Sequence, residues 1–345
     1  MEAGKPRRIG ILTAGGDCPG LNAAIRGVGK TAIVEYGMEV IGFTAGYSGL
    51  IEKEYVELKE SSLSGILTLG GTILGTSREK PYKFVKEGDN EKPALIRQNY
   101  HELGLDALVC IGGNGTMKTA DCLREEGLNV IGIPKTIDND VWGTDVTFGF
   151  DSALQIATEA IDRLHTTANS HQRVMIIEVM GHHAGWIALY AGMAGGGDII
   201  LLPELEYNIR SVCKKIEERY ENRKTYSIVV VAEGIDHPKN TSAASYLSEA
   251  IETYTGIETR ETVLGYIQRG GSPSPMDRIL ATRYGAFAAK CIADGAFGTM
   301  VAVRNNELTT VPLAEISDRL RLVEKDHPLI QKARKMGVSF GDEYL

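Results

Sequence analysis

Short, continuously hydrophobic runs that end in glycine or polar residues are the feature that most restricts how this 345-residue chain can fold. The first run, residues 8–14 (RIGILTA), passes into GGDCPG and then into an amphipathic stretch from about residue 21 to 36. Runs without polar alternation are typical of strands covered on both faces, as in parallel sheets with crossover helices. The sequence therefore predicts an α/β fold. Further strands are predicted at residues 107–111, 129–133, 173–179, 198–202, 227–232 and 262–267.

Length, charge and cysteine content restrict the class of protein. The length is typical of about two domains, and a long helix-like stretch that starts near residues 149–151 marks a boundary. The net charge of −8 argues against a nucleic-acid or anionic-membrane partner. The five scattered cysteines include no CxxC, and no signal-peptide core or membrane-spanning run is present. These features predict a cytoplasmic protein with reduced thiols.

Glycines cluster at three predicted strand ends, at residues 15–20 (GGDCPG), 70–72 (GGT) and 112–116 (GGNGT). Glycine lets the backbone approach a ligand closely and adopt positive φ. Two of the clusters precede a predicted helix, whose free amides and dipole favour an anion. None matches a P-loop or a dinucleotide-binding fingerprint. Each alone is better explained by a tight turn, but three at one sheet edge predict a phosphate site.

The segment PKTIDND, residues 134–140, follows another predicted strand. Its two carboxylates, Asp138 and Asp140, are two residues apart and can converge on a substrate hydroxyl and a metal-bound phosphate. Phosphoryl transfer needs a base for the acceptor hydroxyl and positive charge on the transferring group, with little covalent chemistry from the protein. A solvated, Asx-rich turn is the alternative interpretation of this segment alone.

Taken together, these segments resemble the phosphofructokinase family along nearly the whole chain. The resemblance implies two Rossmann-like α/β domains with largely parallel sheets, helices on both faces and an active site in the interdomain cleft. Residues 1–149 plus about 268–318 then form the nucleotide, or phosphoryl-donor, domain. Residues 150–267 plus about 319–345 form the fructose 6-phosphate domain. The matching stretches are GILTAGGDCPGLNAAIRGV, GGTILGTSR, IGGNGT, PKTIDND, TTANSHQRVMIIEVMG, LLPE, AEG and ETRETVLGYIQRGGSPSPMDR.

The resemblance also implies an activity: transfer of a phosphoryl group from ATP to the 1-hydroxyl of D-fructose 6-phosphate, a step of glycolysis, with Mg2+ as cofactor. Asp138 is then the base, Asp140 supports it, and Thr136 contacts the transferring phosphate. Arg173 and Arg260 match residues that reach a neighbouring subunit's site, which implies a homo-oligomer, a dimer or tetramer; surface ion-pair residues are the alternative. The matched donor-binding positions are Gly16, Tyr47, Arg78, Gly112, Gly113, Gly115, Thr116 and Lys135, and the matched substrate-binding positions are Arg173, Met180, Gly181, His182, Glu233, Arg260, Tyr266 and Arg269.

Two departures from the family pattern concern the metal and the donor. Asn114 stands where the family usually has an Asp that helps to hold Mg2+, so we expect weaker metal binding there, supported by Asp138 or by Asp17. Gly115 matches ATP-using members, whereas Lys135 matches pyrophosphate users. We predict ATP as the donor, with a pyrophosphate-dependent phosphotransferase as the alternative.

Other departures concern the acceptor and regulation. His182 and Tyr266 replace an Arg and a His that are common in the family, so sedoheptulose 7-phosphate is a possible second acceptor. Many bacterial members carry a basic effector pocket for ADP or phosphoenolpyruvate. Because acidic or neutral residues replace several basic ones, we expect weak regulation. The matched effector positions are Arg26, Lys30, Glu60, His165 and Asn222.

Three other interpretations are disfavoured. A dinucleotide-dependent dehydrogenase would need a different first loop and a well-placed ribose-binding acid. A non-catalytic sugar-phosphate-binding subunit does not require Thr136, Asp138 and Asp140, which are all present. The His182–His183 pair has no third ligand at a sensible spacing for a metal site.

Overall fold

The computed structural model describes residues 8–83 and 91–343. Contacts between Cα atoms divide the chain into two compact units. Unit 1 contains the described residues up to Thr136, together with Val141–Asp151 and Arg269–Leu320. Unit 2 contains Ile137–Asp140, Ser152–Gln268 and the described residues from Arg321 onward. The acidic segment 137–140, which we expected in the first domain, therefore groups with unit 2, and the functions assigned to the two parts stay predictions.

The described strands and helices alternate along much of the chain. Among the described residues, no helix combines the length and apolar character needed to cross a bilayer. The strands are β1 (Arg8–Thr13), β2 (Glu39–Phe43), β3 (Tyr55–Glu57), β4 (Ala107–Gly112), β5 (Val130–Thr136), β6 (Phe148–Gly149), β7 (Val174–Val179), β8 (Ile199–Leu201), β9 (Ser227–Ala232), β10 (Thr259–Val263), β11 (Thr299–Arg304) and β12 (Glu307–Pro312). The helices are α1 (Leu21–Val34), α2 (Tyr47–Glu52), α3 (Lys92–Glu102), α4 (Asn114–Glu125), α5 (Phe150–His171), α6 (Trp186–Ala194), α7 (Ile209–Glu221), α8 (Ala243–Thr255), α9 (Pro275–Ala293), α10 (Leu313–Ile316) and α11 (Pro328–Lys335).

The sheet of unit 1 has the strand order β12-β11-β5-β4-β1-β2-β3, with β6 added beside β5. β1, β2, β4, β5 and β11 are parallel, and β3 and β12 are antiparallel to their neighbours. All six residues of β4 are buried, as expected of a strand covered on both faces. Because parallel strands end at the same edge, the loops after β1, β4 and β5 are brought together.

Two glycines let helices α1 and α9 of unit 1 pack closely. A Cβ atom at Gly27 would lie 2.7 Å from the carbonyl oxygen of Thr282, and one at Gly285 would lie 2.5 Å from that of Ala24. Real Cβ atoms essentially never approach so near, so these positions require glycine for the backbones to approach.

The sheet of unit 2 has the order β10-β7-β9-β8, and each neighbouring pair of strands in it is parallel. Its core contains Val174 and Ile176 of β7, Val229 and Val231 of β9, and Leu247 of α8. Helix α5 begins at Phe150, where the sequence predicted a boundary. The observed architecture confirms the predicted α/β fold with largely parallel sheets.

Three predicted elements differ from the structure. The strand predicted at 129–133 continues to Thr136, so PKT belongs to β5 and only IDND leaves the sheet. The run 262–267 is not one strand: β10 ends at Val263, and Gly265–Arg269 form a 3-10 turn. Gly70–Thr72 follow a 3-10 turn, Ile66–Thr68, rather than a strand. Apolar runs alone do not distinguish a strand from a short helical turn.

Candidate active site

The loops after β1 and β4 interlock at the sheet edge of unit 1. The amide of Ala14 donates to the carbonyl of Ile111 (3.0 Å), and the hydroxyl of Thr116 donates to the carbonyl of Ala14 (3.4 Å). The segment after Gly71 also contacts the first loop. The amide of Gly15 donates to the carbonyl of Ser77 (2.9 Å), and the hydroxyl of Thr76 donates to the carbonyl of Gly15 (2.7 Å). The three glycine segments are thus neighbours, although only two of them end strands.

Several glycines of these loops are required by close packing. A Cβ atom at Gly112 would collide with the side chain of Thr116, and one at Gly16 with the guanidinium of Arg269. By contrast, a Cβ atom at Gly115 would meet no other atom within 4 Å. The open space beside Gly115 is therefore available to a ligand.

Helix α4 begins at Asn114, directly after Gly112 and Gly113 of the β4 loop. The first four amides of a helix have no partner within it, and the helix dipole favours an anion there. Gly115 and Thr116 lie in this first turn, where the amide of Thr116 donates to the carbonyl of Gly113 (2.9 Å). A phosphate bound at residues 112–116 stays a prediction, which the helix start after a glycine loop supports.

Two cationic side chains lie against the first glycine loop. The ammonium of Lys135, a residue of β5 that is 3% exposed, donates a hydrogen bond to the carbonyl of Gly16. The guanidinium of Arg269 lies close to the Cα of the same glycine. Arg269 was expected to bind the sugar phosphate, but the structure places it beside a residue expected to bind the donor. Positive charge is therefore focused at this loop of an acidic chain.

Tyr47 requires a correction. We expected its side chain to line the nucleotide site, but it is 1% exposed and belongs to a core cluster with Leu12, Phe43 and Leu50. Its hydroxyl donates to the carbonyl of Thr116 (3.1 Å), and burial raises its pKa well above the usual value. Tyr47 therefore stabilises the start of α4 from the core of unit 1. The free energy gained by burying the apolar ring exceeds the cost of removing the hydroxyl from water, since the hydroxyl keeps a hydrogen bond.

Two other polar residues near the loops differ in accessibility. Arg78 is exposed and directly follows Ser77, whose carbonyl anchors the first glycine loop. Cys18 lies within the GGDCPG loop but is fully buried, and burial raises the pKa of its thiol. Arg78 is therefore placed to meet a charged ligand, whereas the neutral Cys18 thiol serves packing.

The acidic segment turns sharply after β5. Thr136 ends the strand and accepts a hydrogen bond at its carbonyl from the hydroxyl of Thr147 (2.8 Å). Asp138 and Asp140 are partly exposed, whereas Asn139 between them is 4% exposed and has a φ of 53°. This left-handed conformation is uncommon except for glycine and Asn or Asp. The segment is therefore a defined turn in which Asp138 and Asp140 are partly exposed and Asn139 is buried.

Four of the eight predicted acceptor residues, namely Met180, Gly181, His182 and Glu233, come together at the carboxyl ends of β7 and β9 in unit 2. The carboxylate of Glu233 accepts hydrogen bonds from the amides of Gly181 (3.3 Å) and His182 (2.9 Å). The amide of Met180 donates to the side-chain carbonyl of Gln268 (2.8 Å). Gly181 and His182 have φ values of 148° and 51°. A carboxylate and an amide side chain therefore hold a tight loop in a defined conformation.

Arg173 and Arg260 lie elsewhere in unit 2. Both bind the carboxylate of Glu258, at 2.6 Å in the case of Arg173. Arg173 precedes β7, whereas Met180 follows its last residue; a six-residue strand spans roughly 20 Å. The two arginines therefore do not join the acceptor loop of their own chain, and a role in a neighbouring subunit stays a prediction. Tyr266 is 70% exposed in the 3-10 turn after β10.

Oxygen ligands are the ones that Mg2+ prefers, and it is usually bound through one or two carboxylates together with substrate phosphates. Asn114 at the start of α4 and the accessible Asp138 carboxylate supply such oxygens. Across residues 8–83 and 91–343, no group of three or more His, Cys, Asp or Glu side chains is arranged to hold a metal ion. The rings of His182 and His183 lie 3.8 Å apart and contact each other edge to face. A magnesium ion held by these oxygens together with substrate phosphates stays a prediction.

The expected effector positions make internal contacts. The carboxylate of Glu60 lies 3.7 Å from the ammonium of Lys30 in unit 1. In unit 2, His165 contacts the hydroxyl of Tyr226 (3.2 Å) and the carbonyl of Gly195 (2.6 Å). Asn222 donates to the carbonyl of Glu218 (2.7 Å). The side chains at these positions are thus engaged in contacts within the chain, which is the opposite of a pocket whose basic groups are left for an anionic effector.

Sequence reasoning missed several residues that support these loops. Glu204 accepts hydrogen bonds from the amides of Gly185 (2.9 Å) and Val323 (2.9 Å), and burial raises its pKa although these bonds oppose the shift. The indole of Trp186 donates to the carbonyl of Arg321, and the guanidinium of Arg321 donates to the carbonyl of Asn139 in the acidic segment. Only the tryptophan, directly after MGHHAG, was conspicuous in the sequence. No local pattern indicates Arg321, because its partners are far away along the chain.

Known proteins resemble this chain over nearly its whole length. The family model described as Phosphofructokinase matches residues 8–292. ATP-dependent 6-phosphofructokinase 3 of Bacteroides thetaiotaomicron is 60% identical, covering 97% of this chain and 100% of its own. ATP-dependent 6-phosphofructokinase of Spirochaeta thermophila is 54% identical, covering 99% and 100%.

Solved structures agree with these relatives. Phosphofructokinase of Pichia pastoris in the T-state has a TM-score of 0.83 at 33% identity, over 91% of this chain and 35% of that longer chain. Pyrophosphate-dependent phosphofructokinase of Marinobacter aquaeolei has a TM-score of 0.84 at 21% identity, over 96% of this chain and 92% of its own, and so shows the fold alone. The matched span and the sequence identities together show that this chain belongs to the phosphofructokinase family.

Proposed function

We propose that this protein is an ATP-dependent 6-phosphofructokinase, which transfers the terminal phosphoryl group of ATP to the 1-hydroxyl of fructose 6-phosphate. The products are fructose 1,6-bisphosphate and ADP. The observation that carries the proposal is the position of Lys135 and Arg269 beside a glycine loop at the edge of the unit 1 sheet. The partly exposed Asp138 follows the β5 strand of that sheet. Relatives at 60% and 54% identity are named for this activity.

In the proposed mechanism, Asp138 accepts the proton of the sugar 1-hydroxyl as its oxygen attacks the terminal phosphorus of ATP. Asp140 supports Asp138, and Thr136 contacts the transferring phosphoryl group. The amides at the start of α4 and the charges of Lys135, Arg269 and Arg78 stabilise the polyphosphate. These groups position the reactants and stabilise charge, which is most of what this chemistry asks of a protein.

Asn114 and Asp138 would hold Mg2+ together with donor phosphates. Bound there, the ion supplies positive charge to the donor phosphates during transfer. Asn114 offers a neutral amide oxygen where the family usually has a carboxylate, so the site relies more on phosphate and on Asp138. The exposed Asp17 in the first loop is a candidate to compensate for the missing charge.

ATP is favoured over pyrophosphate by the space beside Gly115. A nucleotide phosphate can occupy that space, whereas an aspartate there would crowd and repel it. The ammonium of Lys135, the feature shared with pyrophosphate users, is bound to the carbonyl of Gly16. That contact gives the lysine a role in shaping the loop whichever donor is bound.

The acceptor is proposed to bind at the loop formed by Met180, Gly181 and His182 with Glu233. In a homo-oligomer, a dimer or tetramer, Arg173 and Arg260 of one subunit would bind the 6-phosphate in its neighbour, releasing part of their pairing with Glu258. The expected place of the reaction between the two parts of the chain stays a prediction, as do a cytoplasmic location and weak effector regulation.

The proposal is tested with purified protein, fructose 6-phosphate and Mg2+, with either ATP or pyrophosphate as donor. We expect turnover with ATP to exceed turnover with pyrophosphate by at least about tenfold. No carboxylate at position 115 repels the nucleotide phosphate, and one such repulsion costs more than about 1.4 kcal/mol, which corresponds to a factor of ten. Turnover with pyrophosphate alone would replace the proposal by the pyrophosphate-dependent enzyme. A parallel assay with sedoheptulose 7-phosphate measures how strictly His182 and Tyr266 select the acceptor.

A further inference from the structure

One residue near the carboxyl end of the chain binds two successive carbonyls of the acidic segment. The backbone amide of Arg321 donates to the carbonyl of Asp140 (2.9 Å), and its guanidinium Nη1 donates to the carbonyl of Asn139 (3.0 Å). Arg321 lies 182 residues beyond Asn139 in the chain. These bonds lie within unit 2 and explain why residues 137–140 group with it. The segment that carries Asp138 is therefore fixed by a distant part of the sequence.

A buried tryptophan holds Arg321 in turn. The guanidinium carbon lies 3.9 Å from the centroid of the Trp186 ring, and the indole Nε1 donates to the carbonyl of Arg321 (2.9 Å). Trp186 is 3% exposed, and the ring of His327 contacts it edge to face with a centroid distance of 5.4 Å. A guanidinium that stacks on an aromatic face and donates from its planar edge has little remaining freedom.

The geometry of the segment explains why such support matters. Asn139, with its φ of 53°, separates Asp138 from Asp140. A left-handed residue reverses the local direction of the chain, so this turn sets where both carboxylates point. For a residue other than glycine this conformation is less favourable than the extended or helical ones, and it persists where surrounding contacts hold it. Arg321 supplies two of those contacts: its guanidinium binds the carbonyl of Asn139, and its backbone amide, which alanine or lysine at this position keeps, binds that of Asp140.

We propose that Arg321, stacked on Trp186, is a positioning residue that holds the 137–140 turn so that the Asp138 carboxylate can reach the acceptor hydroxyl. The inference rests on the proposed function, because it assigns Arg321 to the orientation of the proposed base. Arg321 acts through the backbone of the turn. Its loss therefore lowers the rate of the chemical step and leaves the substrates bound by the groups that already hold them.

The central test compares Arg321→Ala with the wild type. We expect kcat to fall about 10- to 100-fold, because a base displaced by about 1 Å costs on that order, with KM for both substrates changed less than about threefold. Arg321→Lys keeps the charge but loses the planar guanidinium, and we expect its kcat to lie between those of Arg321→Ala and the wild type. Guanidinium chloride, below concentrations that unfold the wild type, should restore part of the lost kcat of Arg321→Ala.

Arg319→Ala is the matched control. Arg319 lies two residues earlier, and its guanidinium stacks on Trp142 with a centroid distance of 4.7 Å. Its replacement removes the same charge and a similar aromatic contact, so we expect wild-type kcat and no response to guanidinium. Trp186→Phe keeps an aromatic face but loses the indole donor, and we expect a fall in kcat of about threefold to tenfold.

Hydrogen–deuterium exchange measures the turn independently of activity. In Arg321→Ala the amides of residues 137–141 should exchange at least about tenfold faster than in the wild type, whereas in Arg319→Ala they should not. A kcat of Arg321→Ala within twofold of the wild type, or equal exchange in the two alanine variants, overturns the inference. An inactive wild type overturns the proposed function instead, and the exchange comparison still decides whether Arg321 holds the turn.

Discussion

The proposed donor loops of unit 1 and the proposed acceptor loop of unit 2 are built by different means. In unit 1, the donor loops are backbone structures: glycines at positions 16 and 112 allow close packing, and helix amides face the ligand space. In unit 2, side chains shape the acceptor region, since the Glu233 carboxylate binds two loop amides and Arg321 binds two carbonyls. In the proposed site the backbone binds most of the polyphosphate, whereas carboxylate side chains bind the sugar and take the proton of its reacting hydroxyl.

This difference has a physical reason. Phosphate oxygens accept hydrogen bonds from any suitably directed amide, and glycine loops at helix starts direct several amides to one point. A hydroxyl that must lose a proton needs a titratable group at a defined position, which only a side chain supplies. The two halves should therefore respond differently to substitution.

The largest expected effect is that of Asp138→Asn. The amide has the shape of the carboxylate but cannot take the proton, so we expect kcat to fall by about 10²- to 10⁴-fold with little change in the binding of ATP or sugar phosphate. Steady-state kinetics and equilibrium binding measure the two quantities. Asp294→Asn, at an exposed carboxylate paired with Lys290, is the control and should leave both unchanged. A wild-type rate for Asp138→Asn would remove Asp138 from the mechanism.

Gly115→Asp sharpens the comparison from the donor side. A side chain at this position meets no other atom within 4 Å, so the fold should tolerate it. The carboxylate would repel the donor phosphates, and we expect KM for ATP to rise about tenfold or more while KM for fructose 6-phosphate changes little. Gly115→Asn has nearly the same shape without the charge and should have a smaller effect. Equal rises in both Michaelis constants would contradict the donor assignment.

Glu233→Gln examines the acceptor side and has the smallest expected effect of the three. The neutral amide keeps one acceptor oxygen but weakens the charge-assisted bonds to the amides of Gly181 and His182, each worth about 1.5 to 3 kcal/mol. We expect KM for fructose 6-phosphate to rise about tenfold and KM for ATP to stay within twofold. Glu206→Gln, at an exposed glutamate outside the loop of residues 180–182, is the matched control and should leave both Michaelis constants unchanged. A change in KM for ATP alone would reverse the assignment of the two halves.

Much of the fold could be predicted because the signals are local. The runs before GGDCPG and GGNGT became β1 and β4, and the predicted boundary near residue 150 became the start of α5. Prediction was wrong where burial or an edge position decided the outcome. The apolar run at 262–267 divides between an edge strand and a 3-10 turn, and the ring of Tyr47 is packed into the core.

By itself, the sequence determined the α/β architecture and the residue types that phosphoryl transfer needs, because hydrophobic runs, glycine clusters and the IDND carboxylates are short-range patterns. Only the tertiary structure decided which groups hold those residues in place. The bonds from Trp186 to Arg321 and from Arg321 to Asn139 join residues 135 and 182 positions apart. No local pattern encodes such a contact, because the partners are far apart in the chain and meet only in the folded unit 2.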